Sequence, residues 1–136
     1  MIITISGSIG SYDNMSMIAE RLKAAGHEVY LPQPSGIPAS QELRRDKPAL
    51  IREHTNKIKQ SDVLLVANYD KNGVANYIGP NTFLEMGMAY ALGKPIYLLR
   101  DIPELAYSDE LYGLEPTVVH DDTSRITLTT NSTEEN

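Results

Sequence analysis

Short runs of apolar residues alternate with longer amphipathic segments along the chain. The apolar runs are rich in Val, Ile and Leu and are bounded by turn residues, which indicates buried β-strands. They lie at residues 1–6, 27–31, 62–69, 95–100 and 117–119. Between them, apolar residues recur at spacings of three and four, which predicts helices. These helices are expected at residues 14–25, from about Pro48 onward and at residues 81–92.

Strands that alternate with helices pack as parallel strands covered by helices on both faces. The pattern therefore predicts a single-domain α/β fold over residues 1–120, with a doubly wound parallel sheet of four to five strands, Rossmann/flavodoxin-like. Residues 121–136 are rich in Thr, Ser, Asn and Glu and contain little aliphatic mass. We expect this C-terminal segment to be a mobile tail.

The amino-acid composition argues against several classes of function. The chain has 136 residues, no cysteine and three widely spaced histidines, so neither a disulfide nor a metal site is expected, and no cofactor is indicated. The net charge is −6 and no basic face is visible, which argues against binding of a nucleic acid duplex. Since residues 1–6 are too short for a signal segment and no apolar stretch could cross a membrane, we expect a cytoplasmic, soluble protein.

Ligands of open parallel sheets bind beyond the carboxyl ends of the strands. This rule selects residues 6–10, 69–82 and 100–101. The small residues of the first segment leave backbone N–H groups open for a phosphate or a sugar hydroxyl, although they equally suit an ordinary tight turn. The candidate ligand contacts are Ser6, Gly7, Ser8, Ile9, Tyr69, Asp70, Tyr77 and Asn81.

Glu85 is the only charged residue within residues 82–92. Two interpretations fit it. Thr82-x-x-Glu85 has the spacing of a capping box, in which the glutamate bonds back to the helix start. Alternatively, Glu85 is a functional carboxylate, which its place at the ligand edge and the adjacent loop rich in Asn, Gly and Tyr favour.

His54 lies on the apolar face of the predicted second helix, with Leu50, Ile51 and Ile58 as its neighbours. A lone histidine on such a face is usually a core residue. However, this helix leads directly into the central strand, so His54 is also a candidate catalytic residue beside Glu85.

Three motifs carry a resemblance to a known family. They are Gly7-Ser8-Ile9, residues 61–66 and Glu85-x-Gly87-x-Ala89-x-x-x-Gly93-Lys94-Pro95. Over most of residues 1–100 the chain resembles the nucleoside 2-deoxyribosyltransferases and the related 2′-deoxynucleoside 5′-phosphate N-hydrolases. Residues 68–95 also resemble a group of bacterial and archaeal proteins placed near this superfamily.

The resemblance implies that Glu85 attacks the anomeric carbon of a nucleoside or nucleotide and forms a glycosyl-enzyme ester, as in a retaining glycosidase. Water then releases the sugar in the hydrolases, and a second base accepts it in the transferases. The resemblance also implies homo-oligomers, dimers or larger, whose subunits share active sites.

Several family positions differ here. The substrate-contacting aspartate of the family aligns with His54, and the tyrosine that holds the glutamate aligns with Thr4. The phosphate-binding arginine and serine of the hydrolases align with Gly10 and Gly79, and the transferase aspartate also aligns with Gly79. The resemblance therefore implies the fold and the nucleophile and leaves the substrate open.

The leading hypothesis is cleavage or transfer of the N-glycosidic bond of a (2′-deoxy)nucleoside or its 5′-monophosphate. One alternative is a phosphoribohydrolase of the lysine-decarboxylase-like type, whose Gly-Gly-x-Gly-Thr-x-x-Glu motif is only partly matched by residues 79–85. A second alternative is a non-catalytic nucleotide-binding or assembly module, which the substituted family positions motivate.

Overall fold

The computed structural model of the protein describes residues 1–32 and 41–127. Strands and helices alternate along these residues. The strands are β1 (Ile2–Gly7), β2 (Glu28–Tyr30), β3 (Val63–Ala67), β4 (Ile96–Leu98) and β5 (Thr117–Val118). The α-helices are α1 (Tyr12–Ala24), α2 (Gln41–Gln60), α3 (Pro80–Ala91) and α4 (Ser108–Gly113), and short 3₁₀ turns lie at Ile9–Ser11 and Thr123–Arg125.

The five strands form one sheet in the order β2-β1-β3-β4-β5, and every neighbouring pair is parallel. This confirms the predicted doubly wound α/β fold and identifies its order as the flavodoxin-like one. In this order the chain winds outward in opposite directions from β1 and β3. The loops that follow these two strands therefore part from each other and leave a crevice at the carboxyl end of the sheet.

Alternation along the strands divides the core into two layers. Ile3 and Ile5 of β1 pack with α1, in a layer that also holds Val63 and Leu65 of β3. The opposite face carries Leu64 and Val66 of β3 with α2, α3 and α4. On this second face β1 contributes Thr4 and Ser6, which are 3% and 1% exposed. Two buried hydroxyls on an otherwise apolar face require partners, and these partners lie at the candidate site and at the end of α2.

The second helix begins earlier than the sequence predicts. It starts at Gln41, so Pro48 lies inside it and not at its first position. Proline lacks the N–H that would bond the carbonyl one turn earlier. Pro48 is exposed, so its ring takes no part in the core. The short helix α4 is also absent from the predicted elements, because six residues are too few to show a helical period.

The packed domain continues beyond the predicted boundary at residue 120. Ile126 is 4% exposed and packs in the layer beneath α1. The hydroxyl of Tyr97 donates to the backbone carbonyl of Thr127 and ties this segment to β4. The remainder of the predicted tail, residues 128–136, lies outside the described residues.

Within residues 1–32 and 41–127, none of the helices is long and apolar enough to cross a membrane. The same part of the chain contains no group of three or more His, Cys, Asp or Glu side chains placed to hold a metal ion.

Asn68 joins the ends of β3 and β4. Its side chain is fully buried. The amide nitrogen donates to the carbonyls of Arg100 and Asp101, each at 3.0 Å, and the amide oxygen accepts from the Arg100 N–H at 2.9 Å. These contacts satisfy the backbone after β4, a segment that the sheet rule had selected for ligand binding.

We predict that Asn68→Ala lowers the free energy of unfolding by about 2–4 kcal/mol, because it removes a fully buried side chain together with its three hydrogen bonds to the backbone of Arg100 and Asp101. Urea denaturation measures this change. The control is Asn56→Ala on the exposed side of α2, which should change stability by less than about 0.5 kcal/mol. Equal stability of the two variants would contradict the structural role of Asn68.

Candidate active site

A cleft of about 400 Å³ opens at the carboxyl end of the sheet. It lies between the loop after β1, which contributes Gly7, Ser8 and Ile9, and the β3–α3 loop with the start of α3. Helix α2 forms a further wall through His54. The cleft therefore occupies the crevice that the strand order creates, and its volume is typical of small-molecule sites.

The carboxylate of Glu85 lines this cleft and has a partner on each oxygen. Oε1 accepts a hydrogen bond from the Ser6 hydroxyl, and Oε2 lies 3.3 Å from Nδ1 of His54. The Glu85 side chain is 14% exposed. The carboxylate is thus largely shielded from solvent, held in one orientation and open to the cleft.

The geometry of α3 excludes the capping-box interpretation of Glu85. The helix has Pro80 at its first position and Gly79 as its N-cap, and no side chain caps it. Thr82 is buried within the first turn and is not the N-cap residue. Thr82 and Glu85 therefore do not form a capping box. Glu85 lies in the second turn, where its side chain reaches Ser6 and His54.

His54 is brought to the same place from α2. Its side chain is 21% exposed and lines the cleft, so it is not enclosed in the core. A histidine nitrogen that carries a proton donates to a carboxylate, and the second ring nitrogen stays available for proton transfer. The structure therefore pairs the two predicted catalytic residues.

Ser6 has a different position from the one predicted for it. Strand β1 alternates, so Ser6 points to the α3 side of the sheet, where it is buried beneath Glu85 and does not line the cleft. Thr4, two residues earlier, is also buried, and its hydroxyl lies in hydrogen-bond contact with that of Ser61. Ser6, and not residue 4, supplies the hydroxyl that holds the glutamate.

The four candidate residues between the end of β3 and the first turn of α3 divide into two pairs. Tyr77 and Asn81 line the cleft, whereas Tyr69 and Asp70 do not. The Tyr69 ring lies 4.8 Å from the Arg100 guanidinium, and burial raises the pKa of Tyr69 although the Arg100 charge acts in the opposite direction. The Asp70 carboxylate accepts the Asn76 N–H at 2.9 Å. This second pair shapes the loop.

Lys71 is a cleft residue that the sequence reasoning missed. Lys71 and Val74 exchange two backbone hydrogen bonds of 2.9 Å, and Asn72 and Gly73 between them have φ values of 50° and 80°. These are the features of a type I′ turn, for which Asn-Gly is the preferred pair. The Asn72-Gly73 dipeptide is the sequence signal from which this turn could have been predicted. The turn directs the Lys71 ammonium to the Ser8 hydroxyl, 3.0 Å away.

Tyr77 fills the space next to position 79. A Cβ atom built on Gly79 would lie 3.1 Å from Cε2 of Tyr77 and 3.3 Å from its hydroxyl oxygen. Nearby, the Tyr107 hydroxyl donates to the Ile78 carbonyl and its ring stacks on Phe83 with centroids 4.9 Å apart. Burial, with a smaller contribution from Tyr77, raises the pKa of Tyr107 and keeps it a neutral donor. The start of α3 is therefore fixed by aromatic packing.

Comparison with known proteins shows the family of the chain. The profile of the nucleoside 2-deoxyribosyltransferase family matches residues 11–125. The chain belongs to the nucleoside 2-deoxyribosyltransferase family. A comparison with curated protein sequences gives no significant match.

Solved structures with similar folds include three enzymes. The 2-deoxyribosyltransferase of Bacillus psychrosaccharolyticus is 25% identical with a TM-score of 0.51, and the match covers 72% of this chain and 71% of that one. The CMP N-glycosidase of Clostridium botulinum is 20% identical with a TM-score of 0.56, covering 87% and 85%. The Leishmania mexicana 2-deoxyribosyltransferase is 17% identical with a TM-score of 0.50, covering 82% and 71%. The last two similarities concern the fold.

We predict an energetic coupling between Ser6 and Glu85 that does not depend on any substrate. In a double-mutant cycle of Ser6→Ala and Glu85→Ala, the coupling in unfolding free energy should be about 1–3 kcal/mol, since the bond involves a charged and largely buried acceptor. The control cycle combines Ser16→Ala with Glu85→Ala. Ser16 lies on α1, across the sheet from Glu85, so this coupling should be near zero. If both cycles give the same coupling, Ser6 does not hold the carboxylate.

Proposed function

We propose that this protein cleaves or transfers the N-glycosidic bond of a (2′-deoxy)nucleoside or its 5′-monophosphate, with Glu85 as the nucleophile. The observation that carries the proposal is the Glu85 carboxylate, oriented by Ser6 and His54 inside the cleft between β1 and β3. Membership in the nucleoside 2-deoxyribosyltransferase family supports the same chemistry.

In the first step, a carboxylate oxygen of Glu85 attacks C1′ of the sugar. The C1′–N bond breaks, its electron pair passes to the nitrogen of the base, and the base takes up a proton from water. The transition state has oxocarbenium character, which a neighbouring carboxylate stabilises. Ser6 contributes a neutral hydrogen bond, so it fixes the carboxylate and leaves its negative charge in place.

In the second step, water or a second base attacks C1′ from the face that the first base has left. The ester bond to Glu85 breaks and the carboxylate is restored. The incoming water or base loses a proton, and His54 is the ionisable group next to the ester. Since Nδ1 of His54 faces Glu85, Nε2 is the nitrogen that accepts this proton.

We predict that Glu85→Gln folds but loses base release by at least about a thousandfold, because the amide keeps the shape of the side chain and removes the nucleophile. A panel of nucleosides and their 5′-monophosphates, assayed for free base by chromatography, measures the loss. Glu104→Gln, at an exposed position away from the cleft, is the matched control and should keep full activity.

Undiminished base release by Glu85→Gln would remove the nucleophile role. Binding of nucleotides by the wild-type protein without release of base from any member of the panel would instead support the non-catalytic module.

We predict a separate effect for His54→Asn. Loss of the proton acceptor should lower kcat by about a hundredfold, the size of a general acid–base contribution, and should affect the second step most. His120→Asn is the control, because His120 is exposed and asparagine tolerates its positive φ of 52°. Stopped-flow assays of the first release of base separate the two steps. Similar kcat values for the two variants would exclude the proton-transfer role.

A further inference from the structure

The charges around the cleft differ from those of the whole chain. The protein carries a net charge of −6. Among the described residues, however, the cleft is lined by Lys47 and Lys71 against the single carboxylate of Glu85. Within the described part of the chain, neither lysine forms an ion pair. A cleft with surplus positive charge on an acidic protein favours a ligand that carries negative charge.

Lys71 is held in place both by its backbone and by contacts of its side chain. Its backbone is fixed by the Asn72-Gly73 turn. Its ammonium donates to Ser8 Oγ at 3.0 Å and lies 5.5 Å from the centre of the Tyr77 ring. Both partners line the cleft, so the ammonium is held at its wall.

The contact between Lys71 and Ser8 leaves donors free for an anion. An ammonium group has three protons, and Ser8 uses one of them. The Ser8 hydroxyl accepts from Lys71, so its own proton remains available. Together they can present several N–H and O–H donors to the oxygens of one phosphate group, and hydrogen bonds between charged partners are the stronger ones.

We propose that the cleft is specific for nucleoside 5′-monophosphates over nucleosides, with the phosphate bound by Lys71 and Ser8 and with Lys47 adding positive charge. This inference rests on the proposed function, because it places the sugar between Glu85 and the phosphate group. The loop after β1 and helix α3 border the same cleft, so one nucleotide bound there can place its phosphate at Ser8 and C1′ of its sugar at Glu85.

The test compares each nucleoside with its own 5′-monophosphate, both by kcat/KM for base release and by calorimetric binding. The variants are Lys71→Gln, which removes the charge, and Lys71→Arg, which keeps it. Lys59→Gln is the matched control, because Lys59 is exposed on α2 and does not line the cleft.

The wild-type protein should prefer monophosphates, and Lys71→Gln should reduce the preference about 10- to 100-fold, the value of a hydrogen bond between charged groups. Lys71→Arg should retain most of the preference and Lys59→Gln all of it. Equal kcat/KM and equal affinity for the two forms in the wild-type protein, or a preference that Lys71→Gln leaves unchanged, would overturn the inference.

The two measurements, base release and calorimetric binding, separate this inference from the proposed function. Lys71-dependent binding of monophosphates without release of any base would support the phosphate site and contradict the glycosidase proposal. Release of base from nucleosides and monophosphates at equal efficiency would support the glycosidase proposal and contradict the phosphate site. Neither binding nor release would contradict both.

Discussion

The candidate site depends on one constraint, the fixing of a largely buried carboxylate by two partners from different elements. Glu85 on α3 meets the hydroxyl of Ser6 on β1 and the imidazole of His54 on α2. A carboxylate removed from water requires such partners, because burial without them is costly. The same partners orient it towards the cleft. Stability and the proposed chemistry therefore place the same demand on these three residues.

The strand order explains why these residues meet. With β1 and β3 adjacent at the centre of the sheet, α2 and α3 cover the same face, and Ser6 lies beneath them. The loops after β1 and β3 separate at the same point and form the cleft. The contacts of Asn68 then hold the neighbouring ends of β3 and β4 together. The site is therefore built mainly on rigid elements, which keeps its geometry constant.

Much of this arrangement was predictable from sequence. The parallel α/β fold follows from the alternation of apolar runs and amphipathic segments. Glu85 is a candidate residue because it is a single charge in an apolar helix at the ligand edge. Side-chain partners were harder to predict because they depend on register. The sequence predicts Ser6 as a ligand contact, whereas the alternation of β1 buries its side chain beneath α3, where it donates to Glu85.

Lys71 could not be predicted as a cleft residue for a related reason. Lys71 is far from Ser8 in sequence and reaches it only through the turn at Asn72-Gly73. The sequence places the start of α2 too late because proline favours the first helical position, whereas Pro48 lies inside this helix. Local sequence patterns thus predict helices and strands, whereas contacts between loops can be identified only once the fold is known.

The most direct test of the central claim is mass spectrometry of the protein quenched during turnover. A substrate with fluorine at C2′ is suitable, because the electron-withdrawing atom slows the second, oxocarbenium-like step and lets the ester accumulate. The account predicts that the mass of the sugar is added to the peptide that contains Glu85. Release of the base with Glu85 unmodified, or with the sugar attached to another residue, would contradict it.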